Sequence, residues 1–173
     1  LAFWEMLMEA GAEFGAMPYG TECLHIMRAE KGFIMIGDET DGTVIPQDLG
    51  LSWAISKKKD DFLGKRAQER SFMDNPDRWQ LVGLETLDGS VLEDGAYAIA
   101  EGTNANGQVN TQGRVTSTYY SPILGRGIAM GLVHKGPDRM GEVISFTKIG
   151  ASPVPAKIVS PVFYDPEGEK ANV

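Results

Sequence analysis

The sequence predicts an α+β fold, a mixed and partly helical segment followed by a small antiparallel β-barrel. Apolar residues recur at helical spacing near the start of the chain. After Asp74-Asn75-Pro76-Asp77 the period shortens to runs of alternating residues. Those runs are separated by Asp88-Gly89, Asp94-Gly95, Asn106-Gly107 and Lys135-Gly136-Pro137, all of which favour turns. The change of period divides the chain into residues 1–76 and 77–173.

In order along the chain, Phe3, Trp4, Leu7, Met8 and Gly11 share one side of a helix within residues 1–14, and that side is expected to be buried. Gly15 and Met17-Pro18-Tyr19-Gly20 end it. Thr21 is placed to cap a second helix that runs to about Lys31, with Gly32 closing it in a left-handed conformation. Leu24, Met27 and Lys31 share one face of that helix, and Ile26, Ala29 and Glu30 another. Residues 37–50 read as a long loop ending in a short helical turn. Trp53-Ala54-Ile55-Ser56 reads as a short strand and Gly64 to Met73 as a helix. Beyond the boundary, strands are expected at 79–87, 96–101, 108–116, 127–133, 142–149 and 154–159. Six short strands at this spacing suit a closed or nearly closed barrel. The polar tail after Tyr164 reads as mobile.

The net charge of −8 disfavours nonspecific nucleic-acid binding, which needs a broad basic face. Lys57, Lys58, Lys59, Lys65, Arg66 and Arg70 nevertheless form a local basic stretch, suited to attracting a small polyanion. The single Cys23 excludes an internal disulfide and fits a reducing, cytoplasmic compartment. His25 and His134 stand apart, which makes a structural zinc site improbable. The chain begins at Leu1 with no signal-like segment and no long apolar run, so a soluble piece of a longer protein is expected, without a membrane partner. No phosphate loop, nucleophile elbow or Gly-x-Gly-x-x-Gly after a strand is present.

Several side chains are candidates for binding. Glu30 lies near the C-terminal end of its helix, where the dipole disfavours an acid; alone it reads as a solvated glutamate or as an acceptor facing a cleft. Arg28 points to a different helix face and is read as an ion-pair partner of the Asp38–Asp41 loop. Tyr19 and Trp53 can pack on a flat ring or in the core. Lys57 belongs either to a solvated charge run or to a rim for an anionic tail. Lys65 opens a helix against its dipole and calls for an acidic partner or an anionic ligand. Tyr119 sits either in a turn between strands or in a cleft facing the first segment.

The series Arg28-Ala29-Glu30-Lys31-Gly32, Gly37-Asp38-Glu39-Thr40-Asp41, Gly50-Leu51-Ser52-Trp53 and Asp61-Phe62-Leu63-Gly64-Lys65-Arg66 resembles the folate-binding aminomethyltransferase family, the glycine cleavage T-proteins and their relatives. Gly113-Arg114-Val115-Thr116-Ser117 and Ser121-Pro122-Ile123-Leu124-Gly125 extend the resemblance, although Thr118-Tyr119-Tyr120 replaces the usual Gly and Thr. Thr40-Asp41-Gly42-Thr43-Val44 and Ser56-Lys57-Lys58-Lys59-Asp60-Asp61-Phe62 look most like the alpha subunits of heterotetrameric sarcosine oxidases. The resemblance implies that residues 1–76 are the second half of a folate-binding domain and 77–173 its C-terminal barrel. It implies tetrahydrofolate as ligand, with Glu30 at the motif position where a T-protein glutamate contacts the pterin. Tyr19, Trp53, Lys57, Lys65 and Tyr119 are the further candidate contacts.

No catalytic residue is assigned, because the family's important aspartate lies upstream in the first half of that domain. The implied parent oxidises sarcosine to glycine and passes the one-carbon unit to tetrahydrofolate as methylene-tetrahydrofolate. FAD, FMN and NAD are expected elsewhere in the parent complex. The expected partners are the other sarcosine oxidase subunits and the missing N-terminal part of the chain. Two alternatives remain: a T-protein fed by an aminomethyl-lipoyl carrier, or a noncatalytic module for folate binding or subunit interaction.

Overall fold

The computed structural model describes residues 1–171; the last two residues of the expected barrel segment and of its polar tail lie outside the described residues. The six expected strands all form: β1 (Trp79–Thr86), β2 (Tyr97–Thr103), β3 (Val109–Ser121), β4 (Arg126–His134), β5 (Val143–Phe146) and β6 (Val154–Val159). They close as an antiparallel barrel in the order β1-β4-β3-β2-β5-β6, and β6 pairs back with β1. Closure removes the open edges that a sheet this small would otherwise expose. Among the described residues of the barrel up to Val159, the one helical piece is a 3-10 turn at Gly136–Arg139.

Period-2 alternation sorts the strands into two cores. Val82, Leu84, Val115, Ala129, Val133, Phe146 and Ile158 fill the barrel. Leu81, Ile128, Met130 and Leu132 point outward and pack with Ala29 and Leu49 from the first segment. β4 is therefore buried from Gly127 to Val133 on both faces, where a one-sided strand would show a wet face. This outer wall is where the helical segment docks.

That segment contains α1 (Ala2–Gly11), α2 (Thr21–Glu30) and α3 (Lys65–Gln68), with 3-10 turns at Ala12–Phe14, Pro46–Leu49 and Ser52–Ala54. Four expectations need correction. No residue of α1 is buried: Phe3 is 71% and Leu7 51% exposed, so the apolar face exists but no described residue covers it. Gly20, not Thr21, is the N-cap of α2, and no side chain caps it. Trp53 lies in a 3-10 turn rather than a strand; its neighbours bond locally, Ala54 N–H to Leu51 O at 3.0 Å and Ile55 N–H to Ser52 O at 3.2 Å. α3 stops after four residues, because the charged stretch offers no apolar stripe whose burial would extend it.

The end of α2 is closed tightly. Gly32 adopts φ 72°, Phe33 N–H reaches back to Arg28 O at 2.8 Å and Gly32 N–H to Ala29 O at 3.0 Å, the paired bonds of a Schellman closure. The returning C-terminal segment then covers the same helix end. Phe163 and Tyr164 N–H both donate to Glu30 O at 2.9 Å, and Lys31 pairs with Asp165 at 3.0 Å. The start of the tail expected to be mobile is thus tied to α2.

Gly83 lets this return happen. A β-carbon there would overlap Ser160 O and lie 2.8 Å from the Phe163 ring. Gly83→Ala is expected to destabilise the protein by about 1–3 kcal/mol through overpacking, measured by urea denaturation. An unchanged midpoint would show that the returning segment is not held against β1.

Candidate functional site

Arg28, Ala29 and Glu30 are consecutive and all buried. One helix face cannot hold three consecutive residues, so the end of α2 must be wrapped on several sides. The wrapping comes from the outer face of β3, the loop through Glu39 and the returning segment at 163–165.

Arg28 joins the two segments. Its Nη1 donates to Glu39 Oε2 at 2.8 Å, and its Nη2 to Ser117 Oγ at 2.6 Å and Asp38 Oδ2 at 3.2 Å. The ion pair expected with the 38–41 loop is therefore present. Glu39 is fully buried and fully used. Its Oε2 also accepts Met35 N–H at 2.8 Å, and its Oε1 accepts the hydroxyls of Thr116 at 2.8 Å and Ser117 at 2.6 Å.

Adjacent strand residues normally face opposite ways. Thr116 and Ser117 both reach Glu39 because the β3–β4 register shifts between Val115 and Ser117. Such a bulge re-aims a side chain. Beyond it Ser117, Tyr119 and Ser121 follow each other on the outer face of β3, toward α2. The sequence reading named Tyr119 and the loop that holds Glu39 but did not single out Glu39, Ser117 or Ser121; the Val115-Thr116-Ser117 motif was visible, but a bulge leaves no trace in a period-2 pattern.

Glu30 is only 3% exposed, so it is not a solvated glutamate. Its Oε1 accepts the Ser121 hydroxyl at 2.5 Å. No donor among the described residues reaches Oε2, and no cation pairs with this carboxylate. Oε2 is not among the sealed, unpartnered atoms, so it keeps some contact with solvent: the carboxylate is held on one oxygen and open on the other.

The other candidates are placed differently. Tyr119 is half-buried beside α2 on β3 rather than in a turn. Its hydroxyl receives Arg28 Nη2 at 3.3 Å, the guanidinium lies 5.6 Å from its ring centroid, and its ring meets His25 edge-on at 6.4 Å. Tyr19 is 64% and Trp53 79% exposed, which rules out a core role for either in this structure. Lys57 is exposed. Lys65 donates to the Asp60 carbonyl at 2.5 Å, a backbone partner where an acid or anion was expected. No hydrogen bond or ring contact among the described residues joins Tyr19, Trp53, Lys57 or Lys65 to Glu30.

A cleft of about 470 Å³ lies elsewhere, between the 41–48 loop, the 72–79 linker and the barrel wall. Its charges are already matched. Arg78 grips the buried Asp48 through Nε at 2.8 Å and Nη2 at 2.6 Å, and Arg114 pairs with Asp41 at 3.0 Å. The Thr43 hydroxyl and N–H, and then Arg114, hold the Asp41 carboxyl below its usual range. The cleft offers volume, whereas Glu30 offers an open acceptor on an otherwise buried side chain.

This architecture, a closed barrel preceded by a docked helical segment with a buried acid, has clear relatives. The GCVT N-terminal domain matches residues 1–59, and the glycine cleavage T-protein C-terminal barrel domain matches residues 80–165. The chain belongs to the GCVT family. It is 43% identical over 98% of its length to the sarcosine oxidase subunit alpha of Corynebacterium sp. (strain P-1), and 40% identical over 98% to that of Rhizobium meliloti (strain 1021). It spans only 18% and 17% of those two relatives. It is 35% identical over 82% of its length to the aminomethyltransferase of Halothermothrix orenii, of which it spans 38%. Among solved structures it is similar to the glycine cleavage system aminomethyltransferase T of Bartonella henselae, with a TM-score of 0.68 and 25% identity. That match covers 83% of this chain and 38% of the other.

Removing one member of the Arg28–Glu39 pair leaves the other buried and uncompensated. Glu39→Gln is expected to cost about 3–5 kcal/mol of stability, read from chemical denaturation. A cost under about 1 kcal/mol would fit an exposed pair instead.

Proposed function

We propose that this chain forms part of a tetrahydrofolate site within a longer, sarcosine-oxidising protein. The supporting observation is Glu30, buried with one carboxylate oxygen unmatched by any described residue. A pterin presents an exocyclic amine beside a ring N–H, and a carboxylate can accept both at once. The unmatched oxygen fits that demand. When bound, tetrahydrofolate supplies the amines that take up a one-carbon unit. Glu30 binds and orients the ring, while Tyr119 offers a half-buried aromatic face on the same side of β3. Tyr19, Trp53, Lys57 and Lys65 belong to an outer rim, and the lysines suit the glutamate tail of folate.

The greater identity to sarcosine oxidase alpha subunits than to aminomethyltransferases favours oxidation of sarcosine to glycine, with transfer of the carbon to give methylene-tetrahydrofolate. In this reading residues 1 to about 76 complete a folate-binding domain begun upstream, and residues 77–173 are its barrel. The exposed face of α1 packs against that upstream part. FAD, FMN, NAD and the amine-oxidising site belong to other parts of a cytoplasmic, multi-subunit complex, and this chain alone carries no complete active site. The aminomethyltransferase relatives keep a second reading open, in which the carbon arrives on an aminomethyl-lipoyl carrier instead.

Glu30→Gln puts a donor against a donor. In the full-length complex it is expected to weaken tetrahydrofolate binding by roughly 1–3 kcal/mol. Sarcosine consumption is expected to persist while released formaldehyde rises at the expense of methylene-tetrahydrofolate. Unchanged affinity together with an unchanged product ratio would remove Glu30 from the site.

A further inference from the structure

We propose that Ser121 is a positioning residue, which fixes the plane of the Glu30 carboxylate and so sets its preference for ligands with two donors on one edge. The proposal rests on the folate reading above. Ser121 is fully buried at the end of β3. Its hydroxyl has one proton to give and two lone pairs. Leu124 N–H occupies a lone pair at 3.1 Å, and Glu30 Oε1 lies 2.5 Å away with nothing to donate when ionised. The hydroxyl proton is thereby committed to Glu30.

The turn that follows holds this arrangement. Gly125 N–H returns to Ser121 O at 2.8 Å, and Gly125 takes φ 67°, a left-handed value that suits glycine. Ser121-Pro122-Ile123-Leu124-Gly125 is thus a rigid mount for one hydroxyl. At the other end of the glutamate, its backbone carbonyl is pinned by Phe163 and Tyr164. Between the two anchors the terminal torsion of a glutamate is broad and soft. The Ser121 bond is the one hydrogen bond among the described residues that the carboxylate accepts, and it fixes the plane of a group whose neighbours otherwise only pack against it.

Orientation has a chemical consequence. Each carboxylate oxygen offers two acceptor sites. Ser121 uses one on Oε1, leaving one there and both on Oε2. A held carboxylate therefore meets two parallel donors with both oxygens, whereas a freely turning one meets a single donor nearly as well as a pair. Ser121 should govern selectivity more than overall stability.

The test uses the full-length chain in its complete assembly, with binding measured for tetrahydrofolate and for its 2-desamino-2-methyl analogue, which keeps the ring N–H and lacks the exocyclic amine. Wild type should prefer tetrahydrofolate by about tenfold, the usual worth of one hydrogen bond in a desolvated site. Ser121→Ala should reduce that ratio by about threefold or more, and Glu30→Gln should abolish it. The double variant should match Glu30→Gln alone, because Ser121 acts through Glu30. If Ser121→Ala does not assemble, Ser121→Cys keeps the volume, lacks a strong donor and is read in the same way. An intact ratio in Glu30→Gln would defeat the folate reading itself. A ratio lost in Glu30→Gln but kept in the Ser121 variant would overturn the proposal and leave that reading standing. An equal loss of affinity for both ligands in the Ser121 variant would also overturn it, since a merely structural role has that effect.

Discussion

The buried pair of Arg28 and Glu39 is the interaction on which the rest of the structure depends. It joins the last turn of a helix to a barrel strand far away in sequence, and it does so out of water. Taking two charges from water costs several kcal/mol each, and the attraction repays this only when every remaining lone pair and proton is used. Glu39 meets that condition with four donors: a guanidinium, a backbone N–H and two hydroxyls. Arg28 falls short, since its Nε is buried without a partner among the described residues. The pair is better regarded as a fixer of register between helix and barrel than as a large source of stability.

Register matters because Glu30 lies two residues beyond Arg28. With Arg28 seated on the bulge, the same helix end presents Glu30 to Ser121 on the same strand. The alternation of Ser117, Tyr119 and Ser121 converts one bulge into a row of polar contacts facing α2. The same helix end thus engages two carboxylates, Glu39 with four donors and Glu30 with one. The helix end is held there by the Ile128, Met130 and Leu132 wall, which packs with Ala29, and by the returning segment bonded to the Glu30 carbonyl.

The barrel was legible from local chemistry. Turn pairs such as Asn106-Gly107 and the alternation of Val143 to Phe146 are written in adjacent residues, and the strands lie close to the expected places except that β3 runs five residues past its expected end, to Ser121. The end of α2 was legible for the same reason, because Gly32 marks a left-handed closure. What stayed hidden depends on distant chain. Composition left Glu30 open between a solvated acid and an acceptor facing a cleft, because the Ser121 hydroxyl and the segment at 163–164 that meet it lie far away in sequence. Glu39 was legible only as part of the loop expected to pair with Arg28, because its two hydroxyl donors come from a bulge at 115–117. Trp53 and the residues after Gly64 were misread where short runs lacked a partner strand or an apolar stripe to settle their conformation. The apolar face of α1 was read correctly as a pattern, but periodicity says nothing about what covers it.

The most direct measurement is a crystal structure of the full-length protein with a bound reduced folate. Two pterin nitrogens are expected within hydrogen-bond distance of the Glu30 carboxylate, about 2.7–3.2 Å, with Ser121 still bonded to the same group. A folate bound elsewhere, with Glu30 Oε2 satisfied by a protein donor from outside these residues, would contradict the assignment of this buried acid to the ligand.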